Sequence, residues 1–583
     1  MKKSLVALSI LTGLSAHVHG AVYQVEELST LDIAKHHYVT DANNNGEVIG
    51  QARGVYNLPI DVSYIDFSDS QITNAYDDWE RSQFEAIDKE ITFTLDDIEA
   101  GNLNADAHRF MLSFLSTSSV NSDANWQKIA DSVAVNFTPS PATEQVLLDE
   151  QSNHYDGLTR SVANLYNAIS EDGVRAGWSS APYEQIEFTP SGDDEAQTYF
   201  VRDFRSRGVV VGVDGTVVTL PVISDLYGGQ GTANDIVMRP DGGYYVVGDS
   251  STGVPEDRQD NYDDRCDGED EPVAVCVWEI ENRSASNTRN GLYDRRATLW
   301  TLDADLNVVD TKNLGLGLSI EEDENSAFVS TALAVNAQGI AVGYSHIRDN
   351  NNDNRINTLP ALFKDGEVLE IIDQEDDWYS GKATAITDNG IVTGYATKNI
   401  EGRRTTKFFY HNIETGTTVF PTDYFTSSSS VGRDINEQGV IVGEGEVDVV
   451  NSGSRRREGF IYTLGDDKIA NINDLLPCYD VDGESNYPYT FAEATAIDDD
   501  NIIYGVATKT EHKLNSFGEV EVDSDGETLY ESVAKPVKLT PIAGGEVEEC
   551  PPEAAETYER QSGSLGWLAL LALPLLGWRR KHG

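Results

Sequence analysis

Positive charge is what this 583-residue chain most lacks: 42 Lys and Arg stand against 98 Asp and Glu, a formal net charge of −56 at neutral pH. That imbalance argues against nucleic acid and anionic membrane surfaces as partners, since both would repel it. Cysteine is confined to four positions, 266, 276, 478 and 550, with no CxxC spacing and no histidine close by in sequence, so thiolate metal chemistry is disfavoured. The ten histidines show no HExxH or other ligand spacing, and His36-His37 reads as a surface pair near a strand. No GxSxG elbow is present, because VVGDSSTG has Thr252 where glycine is needed after Ser250. The glycines of YGGQG lack the strand-to-helix context of a dinucleotide site. Nor does any apolar run reach the roughly 20 residues of a relaxed transmembrane helix. Yet 39% of the residues are hydrophobic and 9% aromatic, which describes a globular chain with a core rather than an acidic disordered tail.

Both ends read as processing signals. Lys2 and Lys3 precede a short apolar stretch and then small residues, the pattern of a secretory signal peptide over residues 1–20, cut between Gly20 and Ala21. At the other end, the 14 apolar-rich residues Leu565 to Trp578 run into Arg579, Arg580 and Lys581, cations that stay cytoplasmic under the positive-inside rule. Residues 563–583 are therefore a hydrophobic sorting or anchor tail, and 21–562 the folded part. Losing these five bases and no acid moves the formal charge from −56 to −61. Export makes the even number of cysteines favour disulfides. Proximity suggests Cys266–Cys276 and elimination Cys478–Cys550, with two other connectivities open.

Between the ends one phrase recurs seven times: small, any, apolar, polar, two further residues, Gly, any, Val, any, Gly. It ends at Gly50, Gly177, Gly248, Gly343, Gly394, Gly443 and Gly505, with Asn501 replacing the first glycine in the last copy. ATAI in such a copy is a short strand, TDNG a tight turn whose glycine takes a positive φ, and GIVTG a returning strand that ends at the glycine. A second pair of strands follows, as in KFFYHNIETGTTVFP over 407–421, so each unit is about four short antiparallel strands. The later spacings, 51, 49 and 62 residues, lie near the roughly 40–50 residue period of propeller blades, and the earlier gaps of 127, 71 and 95 are that period with insertions. The expected fold is all-β: a seven-bladed β-propeller of four-stranded antiparallel blades, with AVYQVEEL at 21–28 completing the blade that contains AKPVKLTPI at 534–542. Residues 77–135 depart from strand patterning and read as two or three short helices, including NADAHRFMLSFLS with Asn104 or Asp106 as N-cap and then NWQKIADSVAVNF, a small helical insertion on the first blade.

DLYGGQGTANDI at 225–236, NINDLLP at 471–477 and the repeated IN–x–x–G–x–V–x–G resemble the HAF-type extracellular repeats of secreted bacterial proteins. Small residues, a short hydrophobic helix and a basic cluster at the C-terminus resemble the GlyGly-CTERM sorting tail, with Ser562-Gly563 where Gly-Gly is usual. Together they resemble an uncharacterised family of exported bacterial repeat proteins. The resemblance implies export, a repeat fold, and a tail cut by a rhomboid-type protease, so that the protein is released or held at the cell surface; it brings no catalytic residue.

The inserts after Gly248, Gly343, Gly443 and Gly505 occupy one slot, between the glycine-bearing strand and the next, so one face of the disc should carry the decoration and the ligand. In IRDNNNDNRIN, Asp349, Asn351 and Asp353 have the alternate spacing that aims three oxygens at one cation, with Asn357 as a further ligand; calcium, which favours six to eight oxygens in flexible loops, is the candidate ion. DANNNG and EVDSDGE share that spacing but read as a repeat turn and a hairpin. The acids around Cys266 read as a solvated loop pinned by a disulfide. No carboxylate pair is singled out by spacing for glycoside chemistry. Two readings of function follow: an exported, surface-associated binding or scaffold propeller whose partner is extracellular polysaccharide or protein, or an extracellular hydrolase or lyase acting on polysaccharide through acids in the propeller funnel.

Overall fold

A computed structural model of the protein describes residues 22–548 apart from 88–90, 193–194, 285–290, 322–323, 351, 451–453, 480–486 and 524. The signal-peptide and sorting-tail expectations, with Gly20, Ala21, Ser562 and Gly563, lie outside these residues, as does Cys550. Among the described residues no helix is long and apolar enough to cross a membrane.

Antiparallel four-stranded meanders make up most of the molecule. The first consists of Ala34–Ala42, Val48–Val55, Val133–Asn136 and Thr143–Gln145, and the second of Asn164–Ile169, Arg175–Ser179, Arg207–Val211 and Val217–Thr219. The third contains Gly231–Met238, Tyr244–Gly253, Asp294–Leu302 and Val308–Gly315. An eight-stranded sheet follows that is two such meanders, the fourth and fifth, joined only at the parallel pair Thr358–Ser380. Their inner strands are Ser330–Val335 and Ser380–Ile386. The sixth begins with Ser430–Ile435, and the last consists of Thr490–Ile497, Ile503–His512, Tyr530–Pro541 and the N-terminal strand Tyr23–Glu27, which pairs with Tyr530–Pro541 from Tyr23↔Pro541 onward. The chain's two ends are thus stitched into one sheet.

Apolar side chains are shared between successive meanders. Ile49 of the first shares a core cluster with Tyr166 of the second, Val210 of the second with Trp300 of the third, and Val247 of the third with Phe363 of the fourth. Leu362 shares one with Phe409, the ring centres of Phe408 and Phe460 lie 4.9 Å apart, and Val442 shares a cluster with Phe491 of the last meander. Tyr504 and Ala496 of that last meander pack with Val39 and Val48 of the first. Each such side chain fully buried contributes roughly 1.5–3 kcal/mol, so no meander is stable without its neighbours.

The repeated phrase now has a physical reading. Its first glycine sits in the turn with φ between +75° and +88° (Gly46, Gly173, Gly242, Gly339, Gly390, Gly439), and Asn501 takes +59°. The asparagine of INEQG braces that turn: Asn436 Oδ1 accepts from Val440 N at 2.9 Å while its Nδ2 donates to Asp498 O of the next meander at 2.9 Å. The second glycine is not a strand end, as expected from sequence. Gly443 lies within Val440–Glu446, opposite Gly432, and next to Gly432 the inner strand bulges, so that Arg433 has no partner in the ladder. The same bulge recurs in all seven inner strands, opposite Gly50, Gly177, Gly248, Gly343, Gly394, Gly443 and Gly505. It presses a carbonyl onto each glycine: a Cβ would stand 1.9 Å from Tyr38 O at Gly50, 1.8 Å from Thr232 O at Gly248 and 1.9 Å from Val431 O at Gly443. No side chain fits there.

After three of the seven bulges the next residue links neighbouring inner strands. Asp41, Asp235 and Asp434 each accept one bond from the following N–H and one from the next meander, namely Ile169 N at 2.9 Å, Val335 N at 2.8 Å and Ile497 N at 2.8 Å. These residues keep intermediate accessible area, yet protein surrounds them closely enough that desolvation outweighs the two N–H bonds. Burial raises the carboxyls of Asp235 to about 6 and Asp434 to about 7, and that of Asp41 well above its ordinary value.

Inserts between second and third strands include the helices Ser70–Ile87, Leu95–Glu99, Ala105–Ser116 and Ser118–Asn121 in the first meander. Asn104 caps Ala105–Ser116 by accepting from Ala107 N at 2.9 Å. NWQKIADSVAVNF is not the further helix its pattern predicts: Val133–Asn136 is drawn into the sheet by pairing with Ile49–Ala52. The acid-rich segment before Cys266 is not a loop but the helix Glu256–Arg265, joined to Val273–Ser284 by the Cys266–Cys276 disulfide. Cys478 is also disulfide-bonded.

Gly443→Ala is expected to cost about 1–3 kcal/mol or more through overpacking. Gly253→Ala, where a Cβ meets nothing within 4 Å, should stay within about 0.5 kcal/mol of wild type in denaturant unfolding. Equal effects would remove the steric reading of the repeat. Asp434→Asn leaves one buried N–H without its acceptor and should cost about 1–3 kcal/mol. A carboxyl raised in the folded state binds its proton more tightly there, so its contribution is full below the ordinary carboxylate range and is lost as pH rises through about 7. The stability gap between wild type and variant should therefore narrow from pH 4 to pH 8, and a gap independent of pH would contradict this.

Candidate functional site

A bulged residue is released from the ladder, and its side chain turns out of the sheet. Here the seven released residues, Thr40, Asn167, Asn234, Leu333, Thr384, Arg433 and Thr495, line one cavity of about 690 Å³. One comes from each meander. Several brace the next inner strand: Asn167 Nδ2 donates to Ala233 O at 2.7 Å, Asn234 Nδ2 to Ala332 O at 2.8 Å, and Thr384 Oγ1 to Gly432 O at 2.8 Å. Around them stand Tyr38, Leu165 and Glu493, two positions before a bulge, and Gln51, Arg53 and Val506, just beyond a glycine of the repeat. Inner and second strands are antiparallel, so both of these sets lie toward the end where the inserts are attached. The cavity therefore opens on the decorated face.

Charge is concentrated on one wall of this mouth. Arg433 donates through Nε and Nη2 to both oxygens of Glu444, at 2.9 and 3.0 Å, and pairs through Nη2 with Glu493 at 2.8 Å. Arg457 adds a contact to Glu444 at 3.3 Å. Burial works against the Arg433 cation, but Glu444 and Glu493 more than offset it and hold the guanidinium charged. Nearby, Arg295 pairs with the buried Asp249 at 2.5 Å, and Asp249 also accepts from Thr232 Oγ1 at 2.7 Å and Thr331 Oγ1 at 3.3 Å. Lys382, two residues before the bulge at Thr384, stands with Nζ 4.7 Å from the centre of the Tyr344 ring and forms no ion pair among the described residues. Burial, then the positive charges of Arg433 and Arg295, lower its ammonium from the ordinary lysine value.

The sequence-derived metal loop is elsewhere on the decorated face. Asp349 ends the strand Ala341–Asp349 and Asn357 lies on the strand Asn352–Lys364. Asp349 Oδ2 accepts from Asn357 Nδ2 at 3.2 Å and lies 3.6 Å from Arg355 Nε, so its carboxylate already has a cationic neighbour. Asn351 and the Asp353 side chain fall outside the described residues. Among the described residues no three His, Cys, Asp or Glu side chains are gathered as metal ligands. Ser250 is buried, accepting from Ile223 N at 2.7 Å, and His37 accepts from Leu31 N at 2.9 Å. Both are structural. Lys382, Arg433 and Glu493 escaped the sequence reading because each looks like an ordinary outward strand residue; the signal available was the pair of positions that flank the residue facing each second glycine.

The chain belongs to a family described as protein of unknown function (DUF3466), whose model matches residues 1–581. No curated protein matches it. Among solved structures it is similar to the β-propeller domain of the Trilobed protease from Pyrococcus furiosus, at 9% identity and a TM-score of 0.30 over 70% of this chain and 92% of that one. It is similar also to the Pyrococcus horikoshii acylaminoacyl peptidase, at 12% identity and a TM-score of 0.30 over 63% of this chain and 52% of that one. An oligogalacturonate lyase in complex with manganese is similar at 10% identity and a TM-score of 0.27, over 66% of this chain and 87% of that one.

A calcium ion held at Asp349, Asn351, Asp353 and Asn357 would stabilise the fold by mass action. EDTA is then expected to lower the melting temperature of the full chain, with recovery on adding calcium. An unchanged transition would dispose of the ion.

Proposed function

We propose that this chain is an exported, surface-associated seven-bladed β-propeller that acts as a binding or scaffold module, with its ligand seated in the axial funnel on the decorated face. The observation that carries this reading is the single cavity lined by one released residue from each of the seven inner strands. Supporting it are the packing of the last meander on the first and the N-terminal strand that completes the last sheet. Concave, largely preformed cavities with a few placed polar groups are the usual seats of small ligands. Binding is favoured over catalysis because the acids of the mouth are engaged: Glu444 and Glu493 both hold Arg433. The processing signals read in sequence at the two ends support signal peptidase and a rhomboid-type protease as partners, and the Asp349 loop is the proposed calcium site.

One observation favours a second reading, an extracellular hydrolase or lyase acting on polysaccharide. Lys382 and Tyr395 of the fifth meander, Arg433 and Glu444 of the sixth and Glu493 of the seventh converge, and the acid–base character of the first four is perturbed. Such convergence marks functional sites more often than chance.

Arrays of extracellular polysaccharides and proteins, probed with the mature protein and with Thr384→Trp, which fills the axis, separate these readings. Binding by wild type and at least about a tenfold loss in the folded variant is expected. Ligands retained by Thr384→Trp would remove the funnel as the site, and new reducing ends or unsaturated sugars in the polysaccharide would establish the enzyme instead.

A further inference from the structure

We infer that the axial funnel recognises a carboxylate-bearing sugar, with Lys382 as the anchor of its carboxylate; this rests on the funnel being the binding site. The argument begins with strand periodicity. Lys382 occupies the same place in its inner strand as Tyr38, Leu165 and Glu493, which line the cavity, and it shares a face with Thr384. Its neighbours of like charge are already satisfied: Arg433 holds Glu444 and Glu493, and Arg295 holds Asp249. Lys382 alone of these three cations is met by a ring face and by no carboxylate among the described residues. A half-buried ammonium beside two guanidinium groups is electrostatically incomplete, and an incoming anion would complete it. The lowering of its ammonium by burial and by those two cations agrees with this.

Sugar rather than a bare anion follows from the rest of the wall. A phosphate or sulfate site would be expected to offer several convergent donors, such as guanidinium forks or clustered backbone N–H groups. Here the cations without a carboxylate partner among the described residues are Lys382, a point charge, and Arg53, whose Nε donates to Gln51 Oε1 at 2.9 Å, and the remaining surface sets hydroxyl and amide groups beside the Tyr38 ring and aliphatic side chains. Thr40, Thr495 and Gln51 can both give and accept hydrogen bonds, as a sugar's hydroxyls demand, and Tyr38 offers an aromatic face with a polar tip. The 690 Å³ cavity falls within the roughly 300–1,000 Å³ range of small-molecule sites, room for a short saccharide and not for a folded domain.

Titration calorimetry on the mature full chain tests this with three probes: a uronic-acid disaccharide, its neutral methyl ester and inorganic phosphate. Wild type should bind the acid, and the ester and phosphate at least about tenfold more weakly. Lys382→Met should weaken the acid by a similar factor while leaving the ester unchanged, and Lys382→Arg should restore most of the affinity, which a purely structural lysine would not show. Wild-type affinity for the acid should also fall as rising pH discharges the ammonium, a slope absent in Lys382→Arg. Equal binding of acid and ester, equal binding of phosphate, or a Lys382→Met variant with wild-type affinity would each overturn the inference. The two readings fail separately. Neutral ligands lost in Thr384→Trp would leave the funnel standing and sink the acidic sugar; ligands indifferent to Thr384→Trp would sink the funnel itself.

Discussion

Everything in this molecule is arranged around a contact that a single methyl group would destroy. At each repeat a bulge in the inner strand drives a backbone carbonyl toward the second strand, and only glycine leaves space for it: a Cβ would lie 2.1 Å from that oxygen at Gly177, 2.0 Å at Gly343 and 2.2 Å at Gly394. The bulge in turn fixes three directions at once. The residue before it pairs with the glycine, the bulged residue itself leaves the ladder for the shared cavity, and the residue after it points sideways to the neighbouring inner strand. Register, cavity lining and attachment between sheets are thereby one geometric decision, taken seven times.

Electrostatics limits how that decision is filled. The sideways position holds aspartate in the first, third and sixth meanders and alanine in the others, Ala168, Ala334, Ala385 and Ala496. No two neighbouring inner strands carry the carboxylate. Even at this spacing Asp41 is pushed up by Asp434 and Asp235 after burial itself, so adjacent aspartates would face a steeper penalty. Cations are treated in the opposite way. In a chain so short of them, Arg455, Arg456 and Arg457, which read in sequence as a basic run, are distributed to Glu446, Asp448 with Glu458, and Glu444. Each base of the run is paired with an acid of the same chain, Arg455 in a buried pair and Arg456 and Arg457 in more exposed ones.

Much of the architecture was legible because it is local. The positive-φ turn glycines, the four-strand units, the Asn104 cap and the common slot of the inserts all follow from short stretches whose physics does not depend on distant partners. What sequence concealed was non-local. A bulge is a mismatch between two strands and has no signature in one of them, so the second glycine looked like a strand end. NWQKIADSVAVNF has an amphipathic helical spacing, yet the open edge at Ile49–Ala52 claims its last residues, while Lys128 within it is buried by donating to the carbonyls of Val120, Asn121 and Asp123. Glu256–Arg265, with its charges and no buried residue, offered no apolar stripe from which a helix could be read.

The candidate site was hidden for a related reason, and the reason bears on how such a scaffold can vary. Positions that pack or pair are constrained by their neighbours: the glycine by a carbonyl, the preceding residue by the ladder, the sideways residue by the next strand. The bulged residue has no ladder partner, and its side-chain contacts differ from copy to copy, so that Thr, Asn, Leu and Arg all occur there within one chain. Where it is Leu333 it has no side-chain hydrogen bond to offer the next inner strand, and at that junction the third strand of the fourth meander joins the inner strand of the fifth through Thr358 and Ser380. Seven variable side chains are thus aimed at one cavity by a backbone that tolerates almost no change. A fold built this way holds its sheets together through glycine and aspartate while leaving the cavity positions, such as Thr384 and Arg433, open to different side chains.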